Sequence, residues 1–191
     1  MGRTQQEASV VIEELARDEG VHWLCQAMAP ADFQWHVLHT SSRQEKILSD
    51  TLRVMKVPHF LPLVRQTRYY GKRKASIEAP LFPSYVFLFS NLEDAYQADR
   101  TGRVARIIPV PDQQELDNEL RNLYLALSKN AELDRFPLLK NGVRVEVRSG
   151  PFRGLQGVIE DRSQANRLFL KVQMLGTAAR MQIDAALLDP L

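Results

Sequence analysis

Cysteine is nearly absent from this sequence: Cys25 is the single one among 191 residues. One thiol cannot close an internal disulfide, and it excludes the multi-cysteine zinc folds as well. Long apolar runs are missing too; none approaches the roughly 20 residues of a membrane helix. The start, Met1-Gly2-Arg3-Thr4-Gln5-Gln6-Glu7, lacks the apolar core of a secretion signal. A soluble, cytoplasmic chain without membrane contact is expected. There is no glycine-rich phosphate loop. Glu13-Glu14 and Glu93-Asp94 are adjacent pairs, which do not share a helix face and are expected to be solvated. Nothing near Cys25 supplies an evident base or activating charge. His22-x-x-Cys25 and His36-x-x-His39 have a zinc-like spacing on paper. Residues three apart on a strand point to opposite faces, however, so His36 and His39 do not share an ion. No enzyme, metal site or cofactor is expected.

What is present is globular in proportion: 45% hydrophobic and 25% charged residues, unlike a disordered or collagen-like chain. The length suits one large domain or two small ones. Net charge is only +2, but it is unevenly laid out. From Arg43 to Lys74 there are nine basic residues (Arg43, Lys46, Arg53, Lys56, Arg65, Arg68, Lys72, Arg73 and Lys74) against two acidic ones. From Asp112 to Asp134 there are six acidic against two basic. A charge run is ordinarily a solvated face. Here Phe60, Tyr69 and Tyr70 interleave with the basic run, a combination that suits a nucleic-acid groove.

Residues 5–17 read as a short helix, and Pro30-Ala31-Asp32 breaks the chain. Phe33 to His39 then alternates as a strand. Ser42 and Glu45 have capping-box spacing before a helix that would place Ile47, Leu48, Leu52 and Met55 on one face and stop before Pro58. A long hairpin with a positive tip is expected around Gly71. Leu81 to Phe89 is apolar on both faces and reads as a central strand of a covered sheet. A helix over Leu92–Arg103, a short strand over Val104–Val110 and a helix over Asp112–Leu127 come next, the last carrying Leu116, Leu120, Leu123 and Leu127. The fold class is therefore α+β: an antiparallel sheet with packed helices. Ser128 to Lys140 has no period and reads as a linker, although Phe136-Pro-Leu-Leu-Lys is placed to dock on the next unit of the chain. From Asn141, four of the nine glycines fall within sixteen residues. Alternating valines and short strands over roughly 50 residues suit a small closed β-barrel. The expected domains are an extension, 1–32; an α+β domain, 33–128; a linker, 129–140; and a barrel, 141–191.

Two segments carry chemistry. Gly142-Val-Arg-Val-Glu-Val-Arg-Ser-Gly-Pro-Phe-Arg-Gly-Leu-Gln-Gly157 has a strand on either side. Gly150-Pro151 suits a tight turn, and Gly154 and Gly157 allow a sharp strand exit and close backbone approach. It resembles the KOW motif of SH3-like barrels. Trp35-His-Val-Leu-His-Thr with Glu45-Lys46, then Phe60-Leu-Pro-Leu, then Ala79-Pro-Leu-Phe-Pro-Ser-Tyr-Val-Phe-Leu-Phe89 form the second. In this order, with the barrel, the chain resembles the NusG family of transcription elongation factors from about Phe33 to Leu191. Pro80-Leu-Phe-Pro-x-Tyr-x-Phe together with Pro109-Val-Pro-Asp112 is closer to the RfaH-like antiterminator branch. Ser84 stands where many relatives carry glycine, and the polar RfaH motif near Tyr96 and Gln97 is absent.

The resemblance implies an N-terminal NGN-like domain that docks on the clamp helices of RNA polymerase through an apolar depression open to water. Phe82, Tyr85 and Phe87 would be the anchors, with Trp35 in support and His39 at the rim. Ordinary core burial is the competing reading of those rings. Arg43, Lys46, Arg65, Arg68, Lys72, Arg73 and Lys74 would face nucleic acid, including the non-template DNA strand. The barrel would recruit termination factor Rho or a small ribosomal-subunit protein through Phe152, Arg153 and Ile183, the protein itself being a monomer. In RfaH this domain also refolds as a helical pair; the valine alternation here favours β, since β-branched residues pack well on a pleated sheet. The alternative function is a KOW-type RNA-binding module using Arg144, Arg148, Arg153, Arg162 and Arg167, partly offset by Glu146, Glu160 and Asp161.

Overall fold

The computed structural model describes residues 31–70, 73–138, 142–160 and 166–191. Residues 1–30, with the helix expected at 5–17 and Cys25, lie outside it, as do Lys72, Arg162 and the side chains of 68–70 and 73–74. In chain order the first elements are β1 (Gln34–Thr40), α1 (Glu45–Val54), β2 (His59–Phe60), β3 (Leu63–Tyr70), β4 (Arg73–Pro80) and β5 (Tyr85–Ser90). They continue with α2 (Leu92–Arg100), β6 (Val104–Pro109), α3 (Gln113–Ser128), β7 (Asp134–Pro137) and β8 (Val143–Val147). The last are β9 (Gln156–Ile159), β10 (Arg167–Val172), β11 (Thr177–Gln182) and β12 (Leu188–Pro190). The described residues divide into two compact units, 31–61 with 83–111 and 62–82 with 112–191.

The first unit is an antiparallel sheet in the order β2-β5-β1-β6, with α1 and α2 on one face. Leu38, Val86 and Leu88 from the sheet bury against Leu48, Leu52 and Val57 and against Ala95 and Ala98 of α2. The buried stripe of α1 is Glu45, Leu48, Ser49 and Leu52, at i, i+3, i+4 and i+7. Ile47 and Met55, expected on that face, are instead exposed. The capping box is not formed either. Arg43 takes a positive φ of 61°, the helix begins one residue after Gln44, and no side chain caps it. Glu45 reaches elsewhere: its Oε1 accepts the Ser84 N–H at 2.7 Å. At the other end Lys56, at φ 59°, donates its N–H to Arg53 O while Val57 N–H goes to Leu52 O, a Schellman closure with lysine in the usual glycine place. Asn91 caps α2 by accepting the Asp94 N–H, and Asp112 caps α3 by accepting that of Glu115.

In the second unit β3 and β4 form a two-stranded antiparallel hairpin around Gly71, as expected. The remaining strands make one antiparallel sheet in the order β12-β8-β9-β10-β11-β7, with β12 and β7 as its edges. Its core includes Val145, Val147, Leu155, Leu168, Phe169, Leu170, Val172 and Met181. Gly150 and Gly154 both take φ +84° and make the turn between β8 and β9. At Gly157 a Cβ would come within 2.9 Å of the Phe169 carbonyl oxygen, so only glycine fits against β10. The segment expected to be a linker, 129–140, contains β7, which pairs with β11. The Phe136 ring lies 5.0 Å from that of Phe169, and Thr177 Oγ1–H donates to Phe136 O, so one aromatic anchor holds a strand that has no visible period. Among the described residues C-terminal to it, the regular elements are β-strands and two short 3-10 turns. Among the described residues no helix is long and apolar enough to cross a membrane, and no group of three or more residues could hold a metal ion.

Candidate functional site

The register of the first sheet sorts its side chains onto two faces, because successive residues of a strand alternate. Trp35, Val37 and His39 of β1 stand opposite Phe89, Phe87 and Tyr85 of β5. On the flanks Phe60 pairs with Phe87, Ile108 with Val37, and Arg106 with His39. All of these therefore share the face opposite α1 and α2. Four of the five residues expected at the docking site come together there: the anchors Tyr85 and Phe87, the supporting Trp35 and the rim residue His39. Phe82 precedes β5, which begins at Tyr85 after a turn in which Ser84 takes φ 69°.

Exposure divides the four. Trp35 is 1% exposed and Phe87 0%, and Phe82 is 1% exposed at its own position. An apolar hollow open to water was expected, with Phe82, Tyr85 and Phe87 as its anchors and Trp35 in support; the structure corrects this for Phe82 and Phe87, which are buried, as is Trp35. Rings pack side by side along the face, Trp35 lying 5.1 Å from Phe89, Phe33 5.9 Å from Phe89 and Phe60 6.4 Å from Phe87. Tilted and edge-on pairs at such separations are the favoured aromatic geometry. Phe33, Phe60 and Ile108 stay partly accessible, as does the last row of the face, Tyr85 and His39, their rings 5.3 Å apart, continued by exposed Arg106. Arg106 was not singled out in the sequence, since its alignment with His39 depends on the β1–β6 register.

The other face carries two imidazoles. His36 is buried, and burial holds it below its ordinary value of 6.5 against a hydrogen bond with the Ser90 backbone. His59 bridges α1 and β2: its Nδ1–H donates to Val57 O at 2.9 Å, and its Nε2 accepts from Ser49 Oγ–H at 2.8 Å. Burial lowers its pKa first, and the nearby Arg53 guanidinium adds to that. His36 and His39 thus stand on opposite faces, which denies them a shared ion.

Of the basic residues, Arg43 and Lys46 are exposed at the start of α1 and Arg65 is exposed on β3, paired across the hairpin with Glu78. Arg68, Arg73 and Lys74 lie on the hairpin strands, with side chains outside the described part; Lys72 lies outside the described residues. On the barrel, Arg153 is exposed at the glycine turn and Phe152 is half-buried. Phe152 lines a cavity of about 470 Å³ with Asp134, Arg167, Arg180 and Met181. Ile183, expected at the partner surface, is 8% exposed and belongs to the core, a correction that follows from its place at the end of β11.

Residues 33–120 match the family model described as "Transcription termination factor nusG". The matched segment takes in the β1–β5 row and runs into α3. Two relatives align with most of the chain. The transcription termination/antitermination protein NusG of Rickettsia prowazekii (strain Madrid E) is 26% identical over 171 residues, covering 79% of this chain and 86% of the relative. That of Rickettsia typhi (strain ATCC VR-144 / Wilmington) is 27% identical over 169 residues, with the same coverage. A chain from the crystal structure of the MjSpt4:Spt5 complex is 15% identical, covering 82% of this chain and 96% of that one, at a TM-score of 0.28, too low to carry an argument.

Proposed function

We propose that this chain is a transcription elongation and antitermination factor, of the RfaH-like branch, that docks on the clamp helices of RNA polymerase through its first sheet. The observation that carries the reading is the NusG family match across the very strands that hold the Tyr85–His39–Arg106 row. A half-buried tyrosine beside an imidazole and an arginine offers an aromatic anchor with polar edges, the residue types that dominate interface energy. Trp35 and Phe87 would act as buried support for that row rather than as open anchors. Arg43, Lys46, Arg65 and the hairpin cations would meet phosphates of the nearby nucleic acid, including the non-template strand, which supplies affinity without reading sequence. Phe152 and Arg153 at the barrel turn would receive Rho or a small ribosomal-subunit protein.

Mechanistically the factor braces the polymerase. Binding that favours the closed, elongating state shifts that equilibrium only by its differential affinity for the two states. The test is retention on purified core RNA polymerase, with and without nuclease. Retention should survive nuclease and weaken by about 30-fold in Tyr85→Ala, the effect of losing a hot-spot side chain worth ~2 kcal/mol. Phe87→Ala is not an equivalent probe, because emptying a buried aromatic site costs about 3–5 kcal/mol of stability. Retention that vanishes with nuclease would instead support an RNA-binding barrel. Against that second reading, Arg148 is already engaged by Asp189 at 3.6 Å and by the Ala186 carbonyl.

A further inference from the structure

Within the second unit α3 meets the barrel along a groove of about 520 Å³. At two points the helix supplies the acceptor and the barrel a backbone donor. Glu119 accepts the Gln173 N–H at 2.9 Å on Oε1 and 3.1 Å on Oε2. Asn122, three residues on and so on the same helix face, accepts the Gln156 N–H at 2.9 Å on Oδ1. One point of attachment is the 3-10 turn after β10 and the other is the first residue of β9.

The charges facing Glu119 come from both sides. On its own helix Glu115 stands one turn earlier, with Asp112 at the N-cap; from the barrel, Lys171 of β10 and Arg144 of β8 line the groove. Burial pushes the Glu119 carboxyl up to about 7. The Gln173 N–H opposes this, Glu115 adds to it, Lys171 opposes it and Asp112 adds again. Lost hydration together with the two neighbouring carboxylates therefore outweighs the N–H and the lysine, although an ionised carboxylate is the stronger acceptor.

We propose that Glu119 is a proton-responsive latch between α3 and the barrel, closed when the carboxyl is neutral and loosened when it ionises. The sign comes from linkage. A helix released from the barrel leaves Glu119 solvated near its ordinary 4.5, so the closed form binds more protons between 4.5 and about 7. Closure is thus fully favoured at low pH and is lost as pH rises through 7. From pH 6 to pH 8 the ratio of closed to open should fall about tenfold.

Amide hydrogen exchange on the full chain tests this. After correction for intrinsic rates, the Gln173 amide should lose protection about tenfold from pH 6 to pH 8, while Leu88 in the first sheet does not follow. Glu119→Gln keeps an oxygen acceptor but cannot ionise, so its Gln173 protection should be flat over the same range. Asn122→Ala should loosen the Gln156 amide and leave the pH slope at Gln173 in place. A flat wild-type profile, or a slope that survives in Glu119→Gln, overturns the latch. A carbon-13 titration of the Glu119 carboxyl in the wild-type protein provides a check that needs no variant: a midpoint near 7 supports the latch, and one near 4.5 sinks it.

Discussion

The Glu45 carboxylate, 6% exposed, ties the first turn of α1 to the turn that precedes β5 through its bond from Ser84 N–H. Replacing it with alanine would leave that amide unsatisfied and should lower stability by about 1.5–3 kcal/mol in urea unfolding; Glu45→Gln, which keeps an acceptor, should lose less. Gly157 makes a steric prediction. With Leu168 Cδ1 2.8 Å and the Phe169 carbonyl 2.9 Å from where a Cβ would sit, Gly157→Ala forces β9 off β10 and should cost about 1–3 kcal/mol, read from the same titration. His59 gives a pH dependence of the opposite sense to that of Glu119. Its folded pKa is lowered, so the unfolded chain takes the proton first. Stability of the first sheet is then fully present above 6.5 and declines as pH falls below it. Exchange at Leu48 and Leu88, corrected for intrinsic rate, should accelerate from pH 7.5 to 5.5, with a smaller change in His59→Gln.

At the scale of elements, the two longest helix ends repeat one device. α1 closes with Lys56 and α3 with Asn130, each at positive φ, each with the paired N–H bonds of a Schellman closure. Asparagine tolerates that conformation and lysine does not. Lys56→Gly should therefore stabilise by up to about 1 kcal/mol, seen as a higher melting temperature; a fall would mean the lysine stem packs on something of value. Such closures were hard to anticipate, since neither carries the glycine that announces them. The elements that were legible had strong periodicity or strong punctuation: the leucine spacing of α3, the valine alternation of β8, and the glycines at 150 and 154. β7 escaped because four residues held by Phe136 have no period to show. The candidate row was half legible. Spacing alone puts Tyr85 and Phe87 on one face of β5, but whether a face is open depends on what lies over it, and that decided Phe87, Trp35 and Phe82. Arg106 needed the register of a neighbouring strand.

For the molecule as a whole, charge and fold are distributed differently. The basic run from Arg43 to Lys74 spans α1 and the β3–β4 hairpin, so its residues are drawn from both compact units. Removing Arg43 and Lys46 together should reduce binding to a single-stranded or duplex DNA probe and flatten its dependence on salt by up to two phosphate contacts' worth, with little change among probe sequences. A strong sequence preference that disappears in that variant would show base reading instead. The second unit is also larger than its glycine-rich motif suggests, because β7 supplies an outer strand to a sheet whose other strands all come after residue 142. A recombinant fragment cut to begin at Asn141 would carry every hallmark of the barrel and yet leave β11 with a bare flank of amides and carbonyls. Such a flank is a template for another chain, so that fragment should self-associate at millimolar concentration where one beginning before Asp134 stays monodisperse.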